Sequence, residues 1–257
     1  MVLRYNKLHA FFVVIIIFLV AGCFRGIKKE ELLDARFYFN RGQERMRKKD
    51  YLKAVTDFQT VVESFSTSAI VDNAQFMLGE ARFKSEEYIL AAYEYERVYV
   101  DYPSSNFAPE AHYKKALCYF MESPKAALDQ ENTLLAIDEF NRFMENYPQN
   151  PLVNEAQKKI EELTEKLAYK EYDNAEYYKK RGFYDSALLY YNFVIKDYPR
   201  STWVDDSRFG IGEVFFKKME YEKAKEVFII IVNGDVDPEL QKKASEMLDK
   251  IEKIEKK

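Results

Sequence analysis

Two cysteines, two histidines and one tryptophan in 257 residues leave this chain short of the side chains that hold metals or attack carbonyl carbons. A zinc site needs three or four imidazole and thiolate ligands at set spacings, and no such set occurs, so no metal is expected. A glycine-rich phosphate loop and a Gly-x-Ser-x-Gly elbow are also missing. Glycine and proline are scarce, at 8 and 7 copies, so few turns interrupt stretches rich in Ala, Leu, Glu, Lys and Tyr. These are helix formers, and an all-α chain follows. Basic residues are not in excess: 39 stand against 43 acidic ones, which argues against nucleic acid as a partner. A hydrophobic fraction of 47% beside 32% charged residues excludes wholesale disorder.

A long apolar run is lacking too. The run Phe11 to Val20 (FFVVIIIFLV) has ten residues, where a spanning helix needs roughly 20. A transmembrane span is therefore the weaker reading. Arg4 and Lys7 precede the run with no acid in the first 22 residues, leaving 37 basic and 43 acidic side chains, net −6, beyond them. Residues 1–22 read as a secretory signal peptide. The stretch Val20-Ala21-Gly22-Cys23 resembles the lipobox of bacterial lipoproteins. That resemblance implies a diacylglyceryl group on Cys23, cleavage before it and acylation of the new amine. Each buried methylene contributes about 0.8 kcal/mol, so three acyl chains make a permanent anchor. Phe24 stands where an Asp would retain a lipoprotein in the inner membrane of enteric bacteria, which favours the periplasmic face of the outer membrane. No cofactor is expected beyond that covalent lipid. Cys118 is left without a partner and reads as a buried small hydrophobe rather than a nucleophile.

Self-comparison reveals repeats. Five segments carry a small residue followed four positions later by an aromatic: Ala54/Phe58, Ala91/Tyr95, Ala136/Phe140, Ala187/Tyr191 and Ala224/Phe228. That spacing puts each pair on one helix face. Three residues before the alanine stands Tyr51, Tyr88, Thr133, Tyr184 or Tyr221, and twelve before it Gly42, Gly79, Ala175 or Gly212. In the third segment the matching small residue is Ala116, so eight residues containing Pro124 are inserted there. Tyr102-Pro103, Tyr147-Pro148 and Tyr198-Pro199 end the second helices, with Phe65-Ser66 in the first. Proline stops a helix, and the Ser and Asn residues just beyond can cap the next.

A small residue, then Ala, an aromatic and Pro at these intervals resembles the tetratricopeptide repeat. The implied fold is an α-solenoid of about five helical hairpins, in which aromatics fill the space between stacked neighbours. Most of the 40 Phe and Tyr residues should then be core. One long helix is expected to enter the fourth repeat, with Asn150 as N-cap, Pro151 at its first position and an end near Gly182. The expected organisation is a signal peptide (1–22), lipidated Cys23 with a linker (23–34), repeats 1–3 (35–148), and repeats 4–5 with a capping helix (149–257). Asp and Glu read as solvated helix faces, and His112 as a partly exposed helix residue.

With lipobox and repeats together, the chain resembles the BamD (YfiO) family of outer-membrane assembly lipoproteins. The likeness is carried by Leu167-Ala168 through Tyr172, Ala175-Glu176-Tyr177-Tyr178, Arg181-Gly182, Asp197-Tyr198-Pro199, and the insertion with Asp129-Gln130 before Thr133. It implies a non-catalytic scaffold that binds unfolded outer-membrane proteins through its first repeats and the POTRA domains of a BamA-like barrel protein through its last. By position, Tyr38, Arg41, Arg45, Phe65 and Tyr102 would border the substrate groove, and Tyr177, Tyr178, Arg181 and Gly182 the partner surface. Phe65-Ser66 departs from the family's Tyr-Pro, which weakens the transfer of a substrate contact to that loop. Two other readings stay open: a periplasmic tetratricopeptide lipoprotein serving pilus assembly or cell-wall coordination, and a carbohydrate-acting enzyme on a helical solenoid. The latter would require two buried carboxylates in a deep cleft.

Overall fold

The computed structural model describes residues 34–256. The signal peptide, Cys23 and all of the linker but Asp34 lie outside the described residues. Eleven helices and no strand occur among the described residues, so the chain is all-α, built of tetratricopeptide-like hairpins. The fold divides into two compact units, one ending at Ala74 and the other beginning at Gln75.

In the first unit, α1 (Ala35–Arg47) and α2 (Tyr51–Ser64) form a hairpin. The Asp34 carboxylate accepts from the Phe37 N–H at 2.8 Å, capping the start of α1, and Arg45 and Arg47 face the negative end of its dipole. The helices approach closely because Gly42 lies against Phe58: a Cβ there would sit 2.7 Å from the ring. Helix α3 (Val71–Lys84) runs from the first unit into the second.

The second unit continues through α4 (Tyr88–Asp101), α5 (Ala108–Met121), α6 (Glu131–Asn146), α7 (Val153–Lys180), α8 (Tyr184–Asp197), α9 (Trp203–Lys217), α10 (Tyr221–Asn233) and α11 (Pro238–Glu255). From α4 onward each helix packs on the next in sequence, and α9 also meets α7 and α11. Nearest-neighbour packing of this kind is what hairpins that cannot bury an apolar face alone produce. All five aligned alanines and all five aromatics four residues on are fully buried in their second helices. Cys118 is buried as expected, in a cluster with Tyr95 and Val98, and burial pushes its thiol far up.

A tyrosine opens the second helix in four hairpins: Tyr51, Tyr88, Tyr184 and Tyr221. Two residues before each stands a residue with left-handed backbone: Lys49, Glu86, Gly182 or Met219. The tight turn demands that conformation, yet in only one of the four is it met by glycine. At the other end of the second helices, Tyr102, Tyr147 and Tyr198 share a φ near −130°. Phe65 adopts the same geometry at φ −131° without a following proline, its N–H donating to Val61 O at 3.0 Å. Proline accompanies this helix stop but does not create it.

The long helix is present but starts later than the sequence suggested. Asn150 accepts from the Leu152 N–H at 2.9 Å, which holds residues 150–152 in a turn, and regular helix begins at Val153. Its 28 residues run about 42 Å at 1.5 Å per residue. Ala156 and Leu163 pack with Phe140 and Phe143, whereas Ala175 packs with Ala187 and Tyr191, so one helix serves two successive cores. The insertion before α6 is ordered by polar contacts. The Gln130 amide donates to the carbonyls of Lys125, Ala126 and Leu128, Lys166 donates to Ser123 Oγ and the Pro124 carbonyl, and Lys170 donates to the Leu128 carbonyl.

Candidate functional site

Four of the five residues expected at a substrate groove meet in the first unit. Tyr38, Arg41 and Arg45, spaced i, i+3, i+7, lie on one face of α1. Arg41 and Arg45 reach Asp57 of α2, whose side chain is fully buried. Arg41 donates from Nε at 3.0 Å and from Nη2 at 2.6 Å to Asp57 Oδ1. Arg45 Nη1 stands 2.8 Å from Oδ2 and donates to the Lys53 carbonyl at 2.9 Å. The hydrogen bond it donates to Asp57 holds the Arg41 guanidinium above its ordinary value.

Two cations share one carboxylate, so the cluster keeps one net positive charge. Arg41 and Arg45 remain 37% and 25% exposed, so that charge is open to solvent on one side. The Arg41 guanidinium also lies 5.0 Å from the Tyr38 ring centre and 5.1 Å from that of Phe37, and Tyr38 pairs with Phe65 at 5.9 Å. An exposed guanidinium framed by aromatic faces can receive an anion bearing an apolar side chain. Tyr102, the fifth residue, is half-buried at the C-cap of α4 in the second unit.

The residues expected at a partner surface gather where α7 turns into α8. Gly182 has φ +79° and nothing within 4 Å of a Cβ position. The turn thereby exposes Arg181 and Phe183. Arg181 lies 4.5 Å from the Tyr177 ring centre. Tyr177 meets Tyr178 edge to face, and Tyr178 stacks on Tyr190 at 5.3 Å with planes 8° apart. Tyr177, Phe183 and Leu189 are half or more exposed. An aromatic patch with one cation at its rim has the composition of a protein-binding surface.

The solvated-face reading of the acids fails at three places. Asp57, Glu94 and Glu139 are buried, each just before the key aromatic of its repeat. Glu94 accepts from Gln75 at 2.8 Å and from Arg82 at 3.1 Å. Glu139 lies 3.0 Å from Lys115 and 3.5 Å from His112 Nε2. His112 is accordingly buried rather than partly exposed, and its ring stacks on Tyr99 at 4.5 Å. Burial alone raises Glu139, but hydrogen bonds from His112 and Lys115 outweigh it and leave the carboxyl below its ordinary value. The shared repeat position of the three acids was visible in the aligned segments. Their burial was not, because a charge on a helix is usually solvated.

Residues 33–227 match the family described as YfiO, outer membrane lipoprotein. A relative from Caulobacter vibrioides, named outer membrane protein assembly factor BamD, is 26% identical over 80% of this chain and 69% of its own length. A protein of the same name from Xylella fastidiosa is 21% identical over 82% of this chain and 76% of its own length. The solved structure of a TPR repeats protein from Bacteroides fragilis is 14% identical, covering 86% of this chain and 99% of that one with a TM-score of 0.45. The family match takes in the Arg41–Asp57 cluster, the α7–α8 patch and well over half of the 257 residues, and the chain belongs to the YfiO family of outer membrane lipoproteins.

Proposed function

We propose that this chain is a non-catalytic scaffold of the outer-membrane β-barrel assembly machinery, held at the periplasmic face of the outer membrane by acyl chains on Cys23. The observation that carries this reading is family membership over residues 33–227, together with relatives named as outer membrane protein assembly factors. In this reading the first hairpin receives unfolded barrel proteins. Tyr38, Arg41, Arg45 and Phe65 suit an extended segment that presents a carboxylate beside an aromatic or aliphatic side chain, with Tyr102 a further contact. The α7–α8 patch of Tyr177, Tyr178, Arg181 and Gly182 docks on the POTRA domains of a BamA-like barrel protein. Neither task requires a bond to be made or broken, and a helical array supplies binding surface without nucleotide hydrolysis.

The test is affinity purification of the full-length protein from gently solubilised membranes, with mass spectrometry of what accompanies it, alongside Arg181→Glu. A POTRA-bearing barrel protein should copurify and be depleted at least tenfold in the variant. Recovery of a pilus or cell-wall protein instead, with no barrel protein, would transfer the function to the other periplasmic adaptor class.

A further inference from the structure

Helices α7, α9 and α11 of the second unit enclose a trough formed by two adjoining cavities of about 320 and 230 Å³ that share Asp206, Leu240 and Lys243 as walls. Its lining includes Glu176 and Lys179 of α7 but not Tyr177, Tyr178 or Arg181. Tyr172, Phe209 and Leu240 make the larger cavity's walls partly apolar, but most of its lining is charged.

Nearly every charge there is already answered from within the protein. Lys179 lies 2.6 Å from Glu213 and also pairs with Glu176, and Lys243 is 2.8 Å from Glu239. Asp205 is 2.7 Å from Arg208, and Asp237 accepts the N–H groups of Glu239 and Leu240 that open α11. Asp206 is the exception: it is half-buried, belongs to both cavities, and has no hydrogen bond or ion pair among the described residues.

We propose that this trough binds one arginine or lysine side chain of a partner polypeptide, with the cationic head on Asp206 and the aliphatic stem between Phe209 and Leu240. Lys179 and Lys243 also line the trough, but each is paired with another carboxylate, so a cation of its own is what Asp206 lacks. Burial, and then the like charges of Asp205, Asp237 and Glu176, push the Asp206 carboxyl above its ordinary value despite Lys243 nearby. A divalent metal fits less well, because calcium takes six to eight oxygen ligands and the neighbouring carboxylates are engaged. A long basic side chain needs one carboxylate and covers apolar wall with its methylenes. The trough would take such a side chain whichever protein presents it, so this binding stands independently of the assembly role.

Trp203, the sole tryptophan, stacks on Tyr172 of the trough wall at 4.8 Å and reports on its occupancy. The full-length protein in detergent is titrated with N-acetyl-Leu-Arg-Leu-amide, with the uncharged citrulline analogue and with calcium chloride, following Trp203 fluorescence. The arginine peptide should give a saturable change that weakens at least tenfold in Asp206→Asn and is unaffected in Asp173→Asn, an exposed α7 site outside the trough. Asp206→Asn should also unfold at a higher temperature, since an unpaired carboxylate in a negative field is removed. Absence of saturation, equal binding of the citrulline peptide, unaltered affinity in Asp206→Asn, a response to calcium alone, or a lowered unfolding temperature of that variant would each overturn the proposal.

Discussion

The hydroxyl of Tyr95 donates to Glu80 Oε1 at 2.5 Å, joining the aromatic at the centre of one hairpin to the residue just after that hairpin's Gly79. Tyr191 does the same to Glu176, the residue after Ala175. In the hairpins that carry Phe58, Phe140 and Phe228 the corresponding residues are Gln43, Leu117 and Glu213. Each buried tyrosine at this position is therefore matched by a glutamate, because a buried hydroxyl needs an acceptor, whereas the glutamate can occur without the tyrosine.

Replacing Tyr95 or Tyr191 by Phe should each lower stability by about 1 kcal/mol, the net worth of one hydrogen bond. Phe140→Tyr should destabilise by roughly 1–3 kcal/mol, because its new hydroxyl is buried opposite an aliphatic side chain. Chemical denaturation of the three variants measures both. A stabilised Phe140→Tyr would contradict the pairing.

The turns within hairpins make a second prediction. Lys49, Glu86 and Met219 are exposed and left-handed. Glycine at any of them should stabilise by about 0.5–1 kcal/mol, because it relieves the steric cost of a Cβ there, whereas Gly182→Ala should cost about 1–2 kcal/mol. Midpoints of thermal unfolding read out the opposite signs.

Asymmetry should mark the Arg41–Asp57–Arg45 cluster. Asp57→Asn leaves two arginines that can turn towards water, at a cost of about 1–2 kcal/mol, while Arg41→Ala with Arg45→Ala strands a buried carboxylate at about 3–5 kcal/mol. Equal losses in urea denaturation would mean that water already reaches Asp57.

Acid stability should depend on Glu139. Its carboxyl titrates below the ordinary value of 4.5 in the fold. A depressed acid favours the folded state above its unfolded pKa, and that contribution is lost as pH falls through the folded one. Glu139→Gln should therefore lose less stability than the parent between pH 4.5 and pH 2, as measured by denaturant midpoints across that range.

Much of the architecture was legible because it is local. Alanine and an aromatic four apart share a helix face in any helix, so the five pairs located the second helices before any packing was known. Helix α7 starts two residues later than Asn150 and Pro151 suggest: they carry the signature of a helix start, but the Asn150 side chain accepts the Leu152 N–H within a turn. His112 is buried against the expectation of its local sequence for a different reason. Its burial depends on Tyr99, Lys115 and Glu139, which reach it from two other helices and from its own next turn.

The same division separates the two candidate surfaces. Sequence alone determined the all-α class, the repeat phase, the Arg-Gly turn at 181–182 and the residues worth inspecting, since each rests on spacing along one segment. Only the tertiary structure decided that Asp57 binds both Arg41 and Arg45, that Tyr178 stacks on Tyr190, and that Asp206 is left unpaired while the acids around it are paired. Those outcomes depend on which side chains converge from separate helices, and the free energy of a buried charge is set by those neighbours rather than by its position in the chain.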